Sequence, residues 1–468
     1  MRRVLIGLAI LATLIAIFYT EEDWRGKRAW ENCKRELEAK GAVLDWEKFI
    51  PPPVPDDQNF FKAPNMQKWF VKLKKPPVEP YTNELQALLS NKDIMMPITN
   101  ETVAKSYLAW SDQFQSDFDL IREALKRPYA RIDGDYSQPF EEPIPNFVHT
   151  RALAQVLSQR AKCCLLFGQP EKALSEVTLL NDSRFLLERA PTGQPMTLVE
   201  AMINVAVTGL YVNTIADGLQ KQTWHEPQLA ALQEQLKGIN LSPIVAAGFK
   251  MELVASTHTF ETHPAYKLAG LFKLVDLVSG SASSSNKTKA GAFWWLLKNP
   301  MYLFLNLAPR GWWYQNLVNC AVIESKSLDG FDLEHDTLSP RVFNEVTHNL
   351  NQFLDHKSPF NLMASVAVPN IAKATQTLAR NQTLVNEAQI ACALERYHLA
   401  HSEYPETLDA LSPQFIEKLP HDIIGGQPLL YRRTGDGKFL LHSVGWNETD
   451  DGGITSDKMD QGDWVWKN

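Results

Sequence analysis

One apolar run near the N-terminus constrains this chain more than any other feature. Arg2 and Arg3 precede an uncharged stretch from Val4 to Tyr19, and the acidic cluster 21–23 follows it directly. Positive charge before such a segment places the N-terminus in the cytoplasm and the following chain outside. We therefore expect residues 1–23 to form a signal anchor, a single-pass transmembrane helix that contacts the membrane through residues 4–19. The bulk of the chain is then periplasmic, or extracytoplasmic in general.

The fate of this segment is open between an uncleaved anchor and a cleaved signal peptide. Cleavage needs small residues at the exit of the apolar run, whereas residues 17–20 are mostly bulky. An anchor needs about 20 apolar residues, and this run has 16. Arg2 and Arg3 can extend to the headgroups, and Tyr19 and Trp24 suit the interface, so a short helix is accommodated. The anchor is the form that we expect.

Composition fits a folded protein and argues against a nucleic-acid-binding protein and a disulfide-rich protein. The 468 residues are 44% hydrophobic and 22% charged, which suits folded domains. The net charge is −7 and no long Lys/Arg block is present, so a nucleic-acid partner is not expected. Five scattered cysteines are too few, and odd in number, for a disulfide framework.

Segments rich in proline or serine interrupt the helical pattern after the anchor and divide the chain into further regions. Residues 24–145 read as a charged helix followed by a Pro-rich linker region, in which three consecutive prolines at 51–53 act as a stiff spacer. Residues 146–358 show helical periodicity and predict an irregular helical-hairpin body. Within it, 151–180 resembles a single tetratricopeptide hairpin, and the Ser-rich segment 279–291 predicts a flexible loop.

An aromatic stretch at 293–314 allows three interpretations. Its density of Trp, Tyr and Phe suits a buried core, a membrane interface or a partner-binding surface. A second membrane span is not expected, because Lys298, Asn299 and Pro300 break the apolar run.

The last segment, 359–468, changes character from helix to short strands. A long helix over 383–399 is followed by a loop and by two alternating runs, 429–433 and 438–444, with a glycine-containing turn between them. The expected fold class is therefore mainly α, with a transmembrane helix, a helical body and a small C-terminal α+β module that contains a short antiparallel sheet.

This module resembles the globular domain of the major pseudopilin of type II secretion systems. The resemblance covers about residues 360 to 468 and is carried by a helix end, a Tyr-Pro pair, an LPHD segment and a Ser-Val-Gly turn: Ala393–Tyr397, Tyr404, Pro405, Leu408, Leu419–Asp422, Gly426, Tyr431 and Ser443–Gly445. The helix that assembles pilin fibres is replaced here by the segment 359–369. The resemblance implies a pilin-like fold and docking to a secretion or pilin-like assembly.

The same resemblance implies calcium in the loop after the sheet. That family binds calcium there through carbonyls and aspartates, and the matching residues here are Asp450, Asp451, Asp460 and Asp463, with Asp457 nearby. The alternative is a solvated acidic tail. The chain as a whole also resembles a group of membrane-anchored bacterial proteins that share the RGKRAWE opening, the Pro-rich spacer and this ending, a resemblance that implies no activity.

No contiguous motif identifies a catalytic site, so two functions remain open. His398 and His401 are spaced for metal ligation near a helix end, but a structural pair is the alternative that we expect. The first function is a membrane-tethered, non-catalytic scaffold or interaction protein of the cell envelope with an unidentified protein partner. The second is an exported hydrolase-like enzyme with a site in the helical body.

Overall fold

The computed structural model describes residues 2–71, 85–139, 143–193, 197–262, 307–355, 358–361 and 369–466. The predicted loop 279–291 and the aromatic residues 293–306 lie outside these ranges. Helices dominate, as expected: α1 (Arg2–Ala39), α2 (Met66–Phe70), α3 (Leu85–Leu89), α4 (Glu101–Ser111), α5 (Gln115–Ala124), α6 (Phe147–Leu166), α7 (Pro170–Ser183), α8 (Leu198–Gln220), α9 (Glu226–Lys237), α10 (Ser242–Thr262), α11 (Arg310–Leu328), α12 (Pro340–Asp355) and α13 (Pro369–His401).

Helix α1 is continuous, but its two halves meet different surroundings. Its apolar part from Val4 to Phe18 is exposed, and it is long and apolar enough to cross a membrane. Further along, Trp30, Cys33 and Leu37 are buried against the body. Their spacing of three and four residues places them on one face of the helix. The helix therefore enters the folded body without a break.

Two glycines allow α1 and α11 to cross at backbone contact. A Cβ on Gly26 would overlap the carbonyl group of Gly311, and a Cβ on Gly311 would overlap the carbonyl group of Glu22. Only residues without a side chain permit this approach. Beside the crossing, the N–H of Gly311 donates to Asp23 (2.8 Å), and Nε1 of Trp312 donates to Glu22 (2.8 Å).

Helix α8 lies at the centre of the helical body. It packs on α6, α7, α10 and α13, and it buries Val205, Tyr211 and Ile215. Its length and hydropathy also suit a membrane span, but 61% of its apolar stretch is buried within the protein. We assign it as a core helix, because its apolar surface is already covered by other helices.

Local signals explain where several helices begin. The hydroxyl of Thr197 accepts the N–H of Glu200 at the start of α8 (3.1 Å), as an N-cap does. Gln228 accepts the N–H of His225 at the start of α9 (3.1 Å), in a capping box. The turn between α6 and α7 passes through Gly168, whose φ of +62° favours glycine. The two helices pack on each other over the segment predicted as a hairpin.

Within the residues that the structure describes, the strands form two small antiparallel sheets. β1 (Phe331–Asp332) pairs with β2 (Thr337–Leu338), while β3 (Leu430–Arg433), β4 (Phe439–Ser443) and β5 (Trp464–Val465) form a three-stranded sheet in that order. The predicted alternating runs correspond to β3 and β4. The short strand β5 was not predicted.

The C-terminal region shares its core with the helical body. Helix α13 packs on α8 and α9, and Leu378, Val385 and Leu394 belong to the same buried cluster as Leu153 of α6. A fragment that began near residue 359 would expose the face of α13 that α8 and α9 cover. Experiments on this region therefore require the intact chain.

Candidate functional site

A polar cleft opens where the C-terminal region meets the helical body. It lies between α9, α13 and the loop 413–421, and its volume is about 600 Å³. This volume is in the range of ligand-binding pockets, but most such pockets are lined by apolar side chains. Here amide and charged side chains form much of the wall, among them Gln233, Lys237, Gln382, Asn386, Arg396 and Glu417.

Buried amides fix the floor of this cleft. Gln382 of α13 accepts the N–H of Leu241 (2.9 Å) and donates to Asn386 (3.0 Å). Asn386 in turn donates to the carbonyl of His421 (2.9 Å). Both amides are buried, so the loss of any of these three hydrogen bonds would leave a desolvated polar group. The amides therefore hold the loop against α13 in one position.

Paired charges form the rim. Lys237 lies 2.8 Å from Glu417, and Arg396 lies 2.8 Å from Glu226. The hydrogen bond to Glu417 raises the pKa of Lys237, and the same bond lowers the pKa of Glu417. Each shift holds its group in the charged form at neutral pH. Groups held in this way suit recognition of a polar partner better than proton transfer.

A second cluster lies beside β4 and β5. Nε2 of His442 is 3.2 Å from Oδ1 of Asp450 and 3.6 Å from Oδ2 of Asp463. The antiparallel pairing of β4 with β5 brings His442 opposite Val465, two residues after Asp463. One ligand atom from each of the three side chains lies within 4.8 Å of the others, a separation that could hold a metal ion.

The structure brings together two of the four aspartates that the calcium prediction names. Asp450 and Asp463 meet at His442. The carboxylate of Asp451 accepts the side-chain amide of Asn447 (2.9 Å) instead. Asp460 is exposed in the loop. His442 was not among the predicted residues.

The donor atoms of this cluster differ from an all-oxygen calcium site. Calcium takes 6 to 8 oxygen ligands, whereas these side chains offer one imidazole nitrogen and two carboxylates. Such a mixed set fits zinc- or manganese-type ions better. Asp463 also accepts the N–H groups of Asp451 (3.1 Å) and Gly453 (2.6 Å), so it fixes the loop through hydrogen bonds. Calcium in this loop stays a prediction.

That prediction has a direct test in the intact chain. If the loop binds calcium, millimolar calcium should raise the thermal midpoint relative to chelator, because a ligand that binds only the folded state stabilises it. Asp450→Asn should reduce the shift, whereas Asp409→Asn, a change at an exposed aspartate outside this loop, should leave it unchanged. Zinc and manganese are run in parallel. The absence of a calcium-dependent shift in the unsubstituted chain would remove calcium.

The two helix-end histidines make contacts of a structural kind. The ring of His398 stacks on Tyr404, with centroids 4.6 Å apart, and the ring of His401 stacks on Tyr397 at 4.1 Å. Nδ1 of His401 also lies 3.0 Å from the carbonyl oxygen of Tyr397. These contacts agree with the structural alternative that the spacing left open.

Two acidic side chains interact where α10 packs on α11. Burial raises the pKa of Glu324 well above its usual range, and the charge of Glu252 raises it further. Burial also raises the pKa of Glu252, although that carboxylate accepts the N–H of Leu198 (3.1 Å). The folded chain therefore retains protons that the unfolded chain releases. Its stability should fall as pH rises above the pKa of an unfolded glutamate, about 4.3.

Glu324→Gln is expected to flatten this decline. Above neutral pH, the variant should be more stable than the unsubstituted chain by about 1–3 kcal/mol, the usual cost of a buried polar group without its partner. The measurement is denaturant unfolding at several pH values. Glu334→Gln, at an exposed residue, is the control and should leave the slope unchanged. Equal slopes in all three proteins would contradict the assignment.

The comparisons with known proteins returned no match. No protein-family model, no curated protein and no solved structure matches this chain. Function is therefore inferred from the contacts described above.

Proposed function

We propose that this protein is a membrane-tethered, non-catalytic scaffold or interaction protein of the bacterial cell envelope. The observation that carries the proposal is the continuity of α1. One helix presents an exposed apolar segment from Val4 to Phe18 and then buries Trp30 and Leu37 in the body. A tether built in this way fixes the body next to the membrane, because no flexible linker separates the two.

The charges around the apolar segment support an orientation with the body outside the cytoplasm. Arg2 and Arg3 precede the segment, and the acidic residues 21–23 follow it directly. Lys and Arg residues are enriched on the cytoplasmic side of membrane helices. Three cations within residues 25–28 also follow the segment, so the proposed orientation rests on the charges that flank the apolar run directly. In this orientation the polar cleft faces the periplasm, where it is available to other envelope proteins.

The cleft is the surface that we assign to the protein partner. Its rim pairs, Lys237 with Glu417 and Arg396 with Glu226, are partly exposed at their outer ends. Exposed ion pairs contribute only about 0–1 kcal/mol, so exchange for the charges of a partner costs little. The fixed amides beneath them can accept and donate hydrogen bonds. A polar protein segment with charges of both signs is the partner that fits, and a secretion or pilin-like assembly is the proposed source.

Site-specific crosslinking in native membranes tests this function. A photoreactive residue at Gln414, exposed on the cleft, should give a discrete adduct. The same residue at Val148, 72% exposed and outside the cleft lining, should not give this adduct. Lys237→Glu should weaken the adduct, since it reverses one rim charge. Identical patterns at both positions, or no adduct from Gln414, would contradict the proposal.

A further inference from the structure

The apolar run of α1 is shorter than the membrane that it would cross. Its 16 residues, Val4 to Tyr19, span about 24 Å at 1.5 Å per residue, whereas the hydrocarbon core is about 30 Å thick. Twenty residues counted from Val4 end at Asp23. If Val4 marks the cytoplasmic boundary, the last turn from Thr20 to Asp23 lies at the outer boundary.

At that depth α1 is already in contact with the body. The hydroxyl of Tyr19 donates to the carbonyl of Leu307, and the ring of Phe18 meets the ring of Trp312 edge to face, with centroids 6.2 Å apart. These body residues therefore lie level with the last two turns of the apolar segment. Leu307 is 60% exposed and Phe18 is 44% exposed, so both present apolar surface at the same height.

The acidic residues at this level have their charges covered. Glu22 is only 8% exposed, and it accepts Nε1 of Trp312 (2.8 Å) and a guanidinium N–H of Arg25 (2.9 Å). Asp23 accepts the N–H of Gly311 (2.8 Å). A carboxylate near hydrocarbon is costly unless it is paired and hydrogen-bonded. These bonds reduce the cost of placing residues 22 and 23 at the outer boundary.

We propose that the start of α11 and the preceding Leu307 are inserted in the outer interfacial layer of the bilayer, so that the body is seated on the lipid surface. The occupant of this apolar surface is lipid, because the surface continues the membrane-spanning face of α1 at the same height. Trp and Tyr favour this layer, since one edge of each ring is apolar and the other is wet. Trp312 and Tyr19 thus act with α1 as a composite anchor. This inference rests on the proposed membrane tether.

Depth measurements on the full chain in lipid nanodiscs test the seating. The five native cysteines are buried, so a polarity-sensitive fluorophore can be attached at Leu307→Cys, with the unsubstituted chain as the labelling control. Leu11→Cys reports the tether, and Val148→Cys, 72% exposed, reports water. Quenchers are placed on the lipid chains, either near the headgroup or deep in the bilayer.

The outcomes distinguish failure of the interfacial seating alone from failure of the membrane tether. We expect the shallow quencher to remove most of the emission at residue 307, the deep quencher to remove most of it at residue 11, and neither to act at residue 148. If residue 307 behaves as residue 148 does while residue 11 is quenched, the tether stands and the seating is overturned. If residue 11 is not quenched either, both the tether and the seating fail.

Discussion

Gly26→Ala is expected to lower the free energy of unfolding by about 1–3 kcal/mol, the range of overpacking in a close-packed site. The added methyl group would overlap the backbone carbonyl of Gly311, which has no rotamer by which to move away. Helices α1 and α11 would have to separate, and that separation would also weaken the hydrogen bonds of Glu22 and Asp23 to α11. Thermal unfolding in detergent micelles, followed by tryptophan fluorescence, measures the loss.

Gly7→Ala is the matched control on the same helix. A Cβ at Gly7 would meet no atom of the described residues within 4 Å, and alanine favours helix over glycine by about 1 kcal/mol. No loss of stability is expected from this change. If Gly26→Ala and Gly7→Ala gave the same midpoint, the backbone crossing of α1 and α11 would be contradicted.

Arg160→Ala is expected to destabilise the protein by about 3–5 kcal/mol, as removal of one partner of a buried ion pair does. Arg160 of α6 is 4% exposed, and its guanidinium lies 2.9 Å from Glu176, 2.8 Å from Asp112 and 2.7 Å from Ser111. Without the cation, Glu176 would remain as a buried charge, 6% exposed. Denaturant titration of the intact chain gives the change in stability.

The control for this variant lies on the same helix. Arg151 is exposed, and Arg151→Ala should change stability by no more than about 0.5 kcal/mol, as surface substitutions usually do. A small effect of Arg160→Ala, comparable to that of Arg151→Ala, would show that the buried pair does not hold α7 to α6.

The extent of α1 shows which features the sequence predicts. The charge-free run and its flanking charges predict a membrane helix, and the charged stretch that begins at residue 24 predicts a second helix. The sequence does not predict their fusion into one element, because the acidic residues 21–23 mark a change of environment and indicate a boundary. No proline interrupts the helix over Arg2–Ala39, so the backbone continues through that change.

The sequence predicts two of the three strands of the C-terminal sheet, because only those two carry local signals. Alternation and a glycine turn predict β3 and β4, since both are local signals. Strand β5 has only two residues, Trp464 and Val465, and it pairs with β4 across some twenty residues of chain. Neither its length nor its pairing leaves a periodic pattern that could be detected in the sequence.

Some site residues can be recognised from the local sequence, whereas others depend on contacts between distant segments. Acidic loop residues such as Asp450 and Asp463 stand out by composition, whereas His442 does not. Alternation along β4 places His442 on the face opposite the buried Leu441. It is buried, and the loop that carries Asp450 and Asp463 lies beside it. The cleft likewise depends on contacts between α9, α13 and a distant loop, which no local pattern reveals.

Residue-specific topology in intact cells tests the central claim, that α1 tethers an extracytoplasmic body to the membrane, most directly. A membrane-impermeant maleimide should label Val148→Cys in intact cells and a cysteine added at the N-terminus only after lysis; the buried native cysteines keep the background low. Both proteins should stay in the membrane pellet after an alkaline carbonate wash. Release of the chain by carbonate, or protection of Val148→Cys until lysis, would contradict the claim.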